Sequence, residues 1–171
     1  DRLILIGCSF TPLAPVVGYA FLLESIQNAI ETDDYSGLYY SMMMPSKITG
    51  TATVFKHGEN HFSIKISNGK ESLQTHQVVI SDKNTTRIFT TNLIKPGEVT
   101  ASSKVIKLDA NSAMAKQKEL LSVNNLGPYN VRNNSCITHV TDVLNAGGVP
   151  APKSPFSSMV SFFKGIFSGV K

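Results

Sequence analysis

The stretch HFSIKISNGKESLQTHQVVI, His61 to Ile80, reads as two strands joined by a turn. Phe62, Ile64 and Ile66 alternate with His61, Ser63 and Lys65, which is the period of a strand with one buried face. Ser67-Asn68-Gly69-Lys70 supplies the turn, because Asn-Gly tolerates the backbone that a tight hairpin demands. Val78 and Ile80 resume the alternation on the return strand. Upstream, Ala52 and Val54 keep the same period and stop at the turn His57-Gly58-Glu59-Asn60. Downstream, a turn over residues 81–84 leads to Ile88 and Phe89. The pattern predicts an antiparallel meander of about four strands, and residues 105–108 are placed to add a fifth.

Helical spacing surrounds this meander. Residues 110–123 form one candidate helix, and residues 15–30 form another, with Glu24, Gln27 and Asn28 opposite a broad apolar face. In NNSCITHVTDVLNAGG, Asn133 to Gly148, a helical count gathers Ile137, Val140, Val143 and Leu144 on one side, with Thr141 and Asp142 off it. Asn133, Asn134 or Ser135 serves as N-cap, and Gly147 and Gly148 form the stop. The expected fold class is therefore α+β, an antiparallel sheet of about four to five strands packed against helices.

At 171 residues the chain is expected to be one domain. Its parts are an N-terminal helical or apolar segment (1–48), a core (49–148) that carries the candidate site residues weighed below, and an apolar amphipathic tail (154–171). An apolar fraction of 42% and a net charge of +4 suit a globular protein with mild attraction to anionic surfaces. Scattered lysines and the absence of tryptophan argue against a nucleic-acid partner. Cys8 and Cys136 are the only cysteines; they make no disulfide framework and have no zinc spacing, so they are expected unpaired, and no metal or cofactor is expected.

The uncharged run from Leu3 to Leu23 is about long enough to span a membrane, but Pro12 and Pro15 do not suit one continuous helix. A buried strand, a turn and a core helix are favoured there. Leu5-Ile6-Gly7-Cys8 looks like a lipoprotein cleavage box, with too few apolar residues before it for a secretion signal. The chain lacks an initial Met and is expected to be a piece of something longer.

Cys136 falls in the first turn of its helix, where the dipole and unpaired backbone N–H groups favour a thiolate and can hold an oxyanion. Four histidines are available as a base: His57, His61, His76 and His139. His61 shares a strand face with Ser63 and Lys65, and His76 lies one hairpin away, so the two imidazoles are expected within reach of each other. His139, three residues after Cys136, is read as structural or substrate-lining. His57, in a turn, is expected to be solvated.

The order of histidine opening a strand, Asn-Gly turn, second histidine on the next strand, then Asn-rich loop, Cys and helix resembles the permuted papain-like thiol hydrolases. These comprise the permuted NlpC-type enzymes and the lecithin:retinol acyltransferase group. The matching segments are His61 to His76 and Tyr129 to Gly148, within a resemblance that covers roughly residues 50–148. It implies Cys136 as nucleophile, His61 as general base and His76 as the residue orienting His61, in a permuted papain-like fold. Ser135 stands where the family commonly has Asn, and the gap between the histidines is longer than usual, so Gln77, Asp82 or Asn84 are alternatives to His76.

In PFSSMVSFFKGIFSGVK, Phe156, Met159, Val160, Phe163, Ile166, Phe167 and Val170 share a side, with Ser157, Ser161, Lys164 and Ser168 on the other. Such a face suits either the domain core or a membrane interface. With the uncharged N-terminal run and the adaptable Met42-Met43-Met44 loop, it points to a membrane phospholipid as substrate and to peripheral membrane contact. The expected activity is a cysteine acyl hydrolase cleaving phospholipid acyl esters. The alternatives are a peptidoglycan amidase or endopeptidase using the same site, and a non-catalytic membrane-binding or pore-forming module. By resemblance, the setting is a secreted bacterial toxin delivered into a target cell to act at its membrane or periplasm, with a cognate immunity protein as partner.

Overall fold

The computed structural model describes residues 47–58, 61–80, 84–90 and 99–168. The uncharged N-terminal run, the expected helix at 15–30, the methionine loop, Asp82 and Val170 lie outside them. Within the described residues the chain forms six strands and three helices. The strands are β1 (Gly50–His57), β2 (His61–Ser67), β3 (Ser72–Ile80), β4 (Thr85–Thr90), β5 (Val99–Ser102) and β6 (Ile106–Leu108). The helices are α1 (Ala110–Leu121), α2 (Cys136–Ala146) and α3 (Phe156–Phe167).

The result is an α+β fold with an open antiparallel sheet ordered β4-β3-β2-β1-β5, β6 also pairing with β1. β5 and β6 share one edge of β1, β5 facing Phe55 to His57 and β6 facing Gly50 to Ala52. Ser103 fills the gap between them: its backbone N–H donates to the Val54 carbonyl (2.8 Å), and its hydroxyl accepts from the Val54 N–H (2.9 Å). β5 was not expected from the sequence. Val-Thr-Ala-Ser is short and has no fully buried residue, so burial imposes no alternation on it.

Cross-strand register sorts the sheet into two faces. Val54 opposes Ile64, Ala52 opposes Ile66, and Ile64 opposes Thr75. These residues and Phe62 look toward the helices. The intervening residues, among them His57, His61, Ser63 and His76, look the other way. Gly69 occupies the hairpin turn at φ 88°, a left-handed conformation that glycine adopts without strain. Gly50 lies so close to the Ser67 carbonyl and Ala110 that a Cβ would collide with both.

Ile137, Val140, Val143 and Leu144 of α2 are fully buried against the sheet, as the helical count predicts. Thr141, expected off that face, is buried too, its hydroxyl donating to the Ile137 carbonyl (3.0 Å). α3 spends its apolar face on the core. Phe163 meets Phe62 edge-on with ring centroids 5.4 Å apart, and Met159, Phe162, Ile166 and Phe167 join the same cluster. The tail is thus part of the domain's interior, the first of its two readings. Among the described residues no helix is long and apolar enough to cross a membrane.

Candidate active site

Strand alternation and the β2–β3 register bring two of the expected site residues together. Nε2 of His61 lies 2.6 Å from Nδ1 of His76, both rings being buried. Nε2 of His76 lies 3.2 Å from the Thr90 carbonyl oxygen. That oxygen can only accept, so His76 carries its proton on Nε2 and presents a lone pair at Nδ1. His61 must then donate from Nε2, which leaves its own Nδ1 as a lone pair. This Nδ1 is buried and has no hydrogen-bond partner. Through the chain Thr90–His76–His61, the backbone dictates which nitrogen of His61 is basic.

Burial also sets the charge state. Desolvation lowers His61 well below the ordinary imidazole range, and neighbouring His76, His57 and His139 push it the same way. His76 falls to about 4, mainly through desolvation, although its bond to Thr90 works in the opposite direction. Both rings are neutral at pH 7, the form a general base requires.

His57 is not the solvated turn residue expected. It ends β1 directly opposite His61, is buried, and places Nε2 2.7 Å from the Ser63 hydroxyl. The amide of Gln74 donates to that hydroxyl as well (2.8 Å). Gln77, considered as an alternative orienting residue, serves elsewhere: its amide donates to Thr86 Oγ1 (2.9 Å) and to Asn134 Oδ1 (2.7 Å). Asn134 in turn bonds the Leu126 and Pro128 carbonyls, which fastens the loop ahead of α2 to the sheet.

Ser135 is the N-cap of α2. Its hydroxyl accepts from the N–H groups of Ile137 and Thr138, while Thr138 Oγ1 accepts from the Ser135 N–H (2.7 Å), a reciprocal capping box. Cys136 is the first helical residue, as expected. Its sulfur is nevertheless fully buried, packed in the aliphatic cluster, and disulfide-bonded. The expectation of an unpaired thiol is corrected. The chain's other cysteine, Cys8, lies outside the described residues.

The Asn134–Gln77 bond places the start of α2 near the end of the sheet where β2 begins, the same end as His61. Strand pleating, however, turns His61 and His76 away from the helices, whereas Cys136 belongs to the helix-side core. In this disulfide-bonded form the structure joins the two histidines and leaves Cys136 outside their hydrogen-bond chain.

A second polar chain, invisible to hydrophobic periodicity, crosses the helix side. Gln117 of α1 donates to Thr75 Oγ1 (2.9 Å), and Thr75 Oγ1 lies 2.8 Å from Nε2 of His139. Thr75 and Gln117 are polar residues fully buried between the sheet and the helices. Among the described residues no three His, Cys, Asp or Glu side chains gather as a metal-ligand set.

No protein family, no curated protein and no solved structure matches this chain.

Proposed function

We propose that this protein is a cysteine-dependent acyl hydrolase, with Cys136 as nucleophile, His61 as general base and His76 as the residue orienting His61. The observation that carries the reading is the buried, unpaired Nδ1 of His61, held as a lone pair by His76 and the Thr90 carbonyl. A base oriented by a second polar group is what nucleophilic catalysis needs. The order of elements, sheet first and cysteine helix after it, suits the permuted papain-like fold that the sequence resembles.

Thiol–disulfide exchange with an external dithiol, which leaves as its own disulfide, first frees Cys136 as a thiol, and the freed sulfur meets His61 across the rim of the sheet. His61 then takes the thiol proton and the sulfur attacks the acyl carbonyl to give a tetrahedral oxyanion. The leaving group departs with the proton from His61, and water resolves the thioester.

The substrate class is read from the fate of the apolar face of α3. The apolar face of α3, one of the features pointing to phospholipid, is consumed by the core. A pocket of about 210 Å³ near the α2 N-terminus is lined instead by Arg132, Asn133, Thr138, Thr141, Asp142, Lys153 and Met159. None of Cys136, His61 and His76 lines it, so the preference for an amide in peptidoglycan or another peptide over a phospholipid ester rests on the burial of the α3 apolar face. Reduced protein incubated with cell-wall sacculi is expected to release new amines, and incubated with phospholipid liposomes to release little fatty acid. The reverse result restores the lipid ester as substrate, and loss of neither activity in Cys136→Ala or His61→Ala removes the enzyme.

The full burial and disulfide bonding of Cys136 favour a second reading, a non-catalytic module stapled at α2. There, biological activity survives Cys136→Ala as long as the fold does.

A further inference from the structure

The chain Gln117–Thr75–His139 has no part in the mechanism above, although all three side chains are buried. The Gln117 amide nitrogen faces the carbonyl oxygens of Leu73 (3.0 Å) and Ile64 (3.3 Å) as well as Thr75 Oγ1 (2.9 Å). Carbonyl oxygens only accept, so the amide orientation is fixed. With a donor on that side, the Thr75 hydroxyl sends its own hydrogen to Nε2 of His139 (2.8 Å). His139 therefore carries its proton on Nδ1. That Nδ1–H is buried and has no hydrogen-bond partner. Unmet buried donors are uncommon in folded proteins, and one that persists calls for an explanation in another state of the molecule.

His139 follows Cys136 by three positions on α2, one turn on the same face. Helical side chains lean toward the N-terminus, so this ring overlies the turn that Cys136 begins. We infer that His139 is a positioning residue for the nucleophile: once Cys136 is reduced and ionised, the His139 Nδ1–H donates to its sulfur, with Thr75 and Gln117 holding the ring in that tautomer. Burial lowers His139 to about 3, with His76 acting in the same direction, so the ring stays neutral at pH 7. A neutral donor steadies the thiolate and leaves the thiol proton to His61. The purpose of this contact rests on the hydrolase reading; its test does not.

The test is alkylation of Cys136 by iodoacetamide as a function of pH, in the reduced full chain carrying Cys8→Ser, where Cys136 is the single thiol. His139→Phe removes the donor, and Thr75→Val removes the hydroxyl that sets the tautomer. Each is expected to move the apparent thiol pKa up by about one unit, which is about tenfold slower alkylation at pH below it. His139→Asn, which can place an amide N–H near Nδ1, is expected to recover most of the rate. Unchanged pH profiles in both His139→Phe and Thr75→Val overturn the inference. If His139→Phe does not fold by circular dichroism, the near-isosteric Thr75→Val decides alone. A shifted profile without hydrolysis of any substrate upholds the His139 contact and sinks the hydrolase; hydrolysis with an unshifted profile does the opposite.

Discussion

Moving the protein from pH 7 to pH 5 is expected to destabilise it by at least about 4 kcal/mol. His76 and His139 titrate in the folded chain at about 4 and about 3, because burial penalises their charged forms. Unfolded, each titrates near 6.5. At pH 5 the unfolded imidazoles are almost fully protonated while the folded ones remain neutral, so unfolding takes up nearly one proton per ring. Over this interval each ring then contributes a loss of about 2 kcal/mol. His61, lowered by the same cause, adds in the same direction. The stabilisation is complete above pH 6.5 and disappears as pH falls through the folded values. Urea unfolding followed by circular dichroism at pH 7, 6 and 5 measures it. With a slope of roughly 2 kcal/mol per molar, the midpoint falls by about 2 M between the extremes. His139→Gln removes one titrating ring and should shrink the drop by about 2 kcal/mol. A midpoint that stays level between pH 7 and pH 5 refutes the reasoning, since it means that the histidines are solvated or already charged in the fold.

Other substitutions test the scaffold by chemical denaturation. Ser135→Ala removes the hydroxyl that caps Ile137 and Thr138 and is expected to cost about 1 kcal/mol. Gln117→Leu deprives the Ile64 and Leu73 carbonyls and Thr75 of their shared donor, for a loss of about 1–3 kcal/mol. Phe163→Ala opens a cavity beneath Phe62 and should cost about 3–5 kcal/mol, whereas a surface-docked α3 would tolerate it with little change. Gly50→Ala drives a methyl into the Ser67 carbonyl and Ala110, and is expected to destabilise by about 1–3 kcal/mol.

The sheet was legible because its central strands alternate apolar with polar residues. Phe62, Ile64 and Ile66 on β2, and Val54 on β1, carry the period, and Asn68-Gly69 marks the turn. The approach of His61 to His76 was legible for the same reason, since register places alternate residues of neighbouring strands on one face. α2 announced itself through its apolar side and its Ser135 cap. What periodicity could not carry was burial on both faces of the sheet. His57 reads as a turn residue because its neighbours are Gly and charged residues, yet it is enclosed beside His61. Thr75 and Gln117 read as ordinary polar positions, because their role comes from partners 64 and 42 residues away in sequence. The state of Cys136 was equally hidden: a first-turn cysteine looks the same to a helical count whether its sulfur is a thiolate or half of a disulfide.

The distance between Cys136 Sγ and His61 Nδ1 in a crystal structure of the reduced protein tests the catalytic pairing most directly. The proposal predicts a contact of about 3.5 Å, with His76 still bound to the other nitrogen of His61. A reduced sulfur that remains in the aliphatic cluster, with His61 still turned to the opposite face of the sheet, would contradict it.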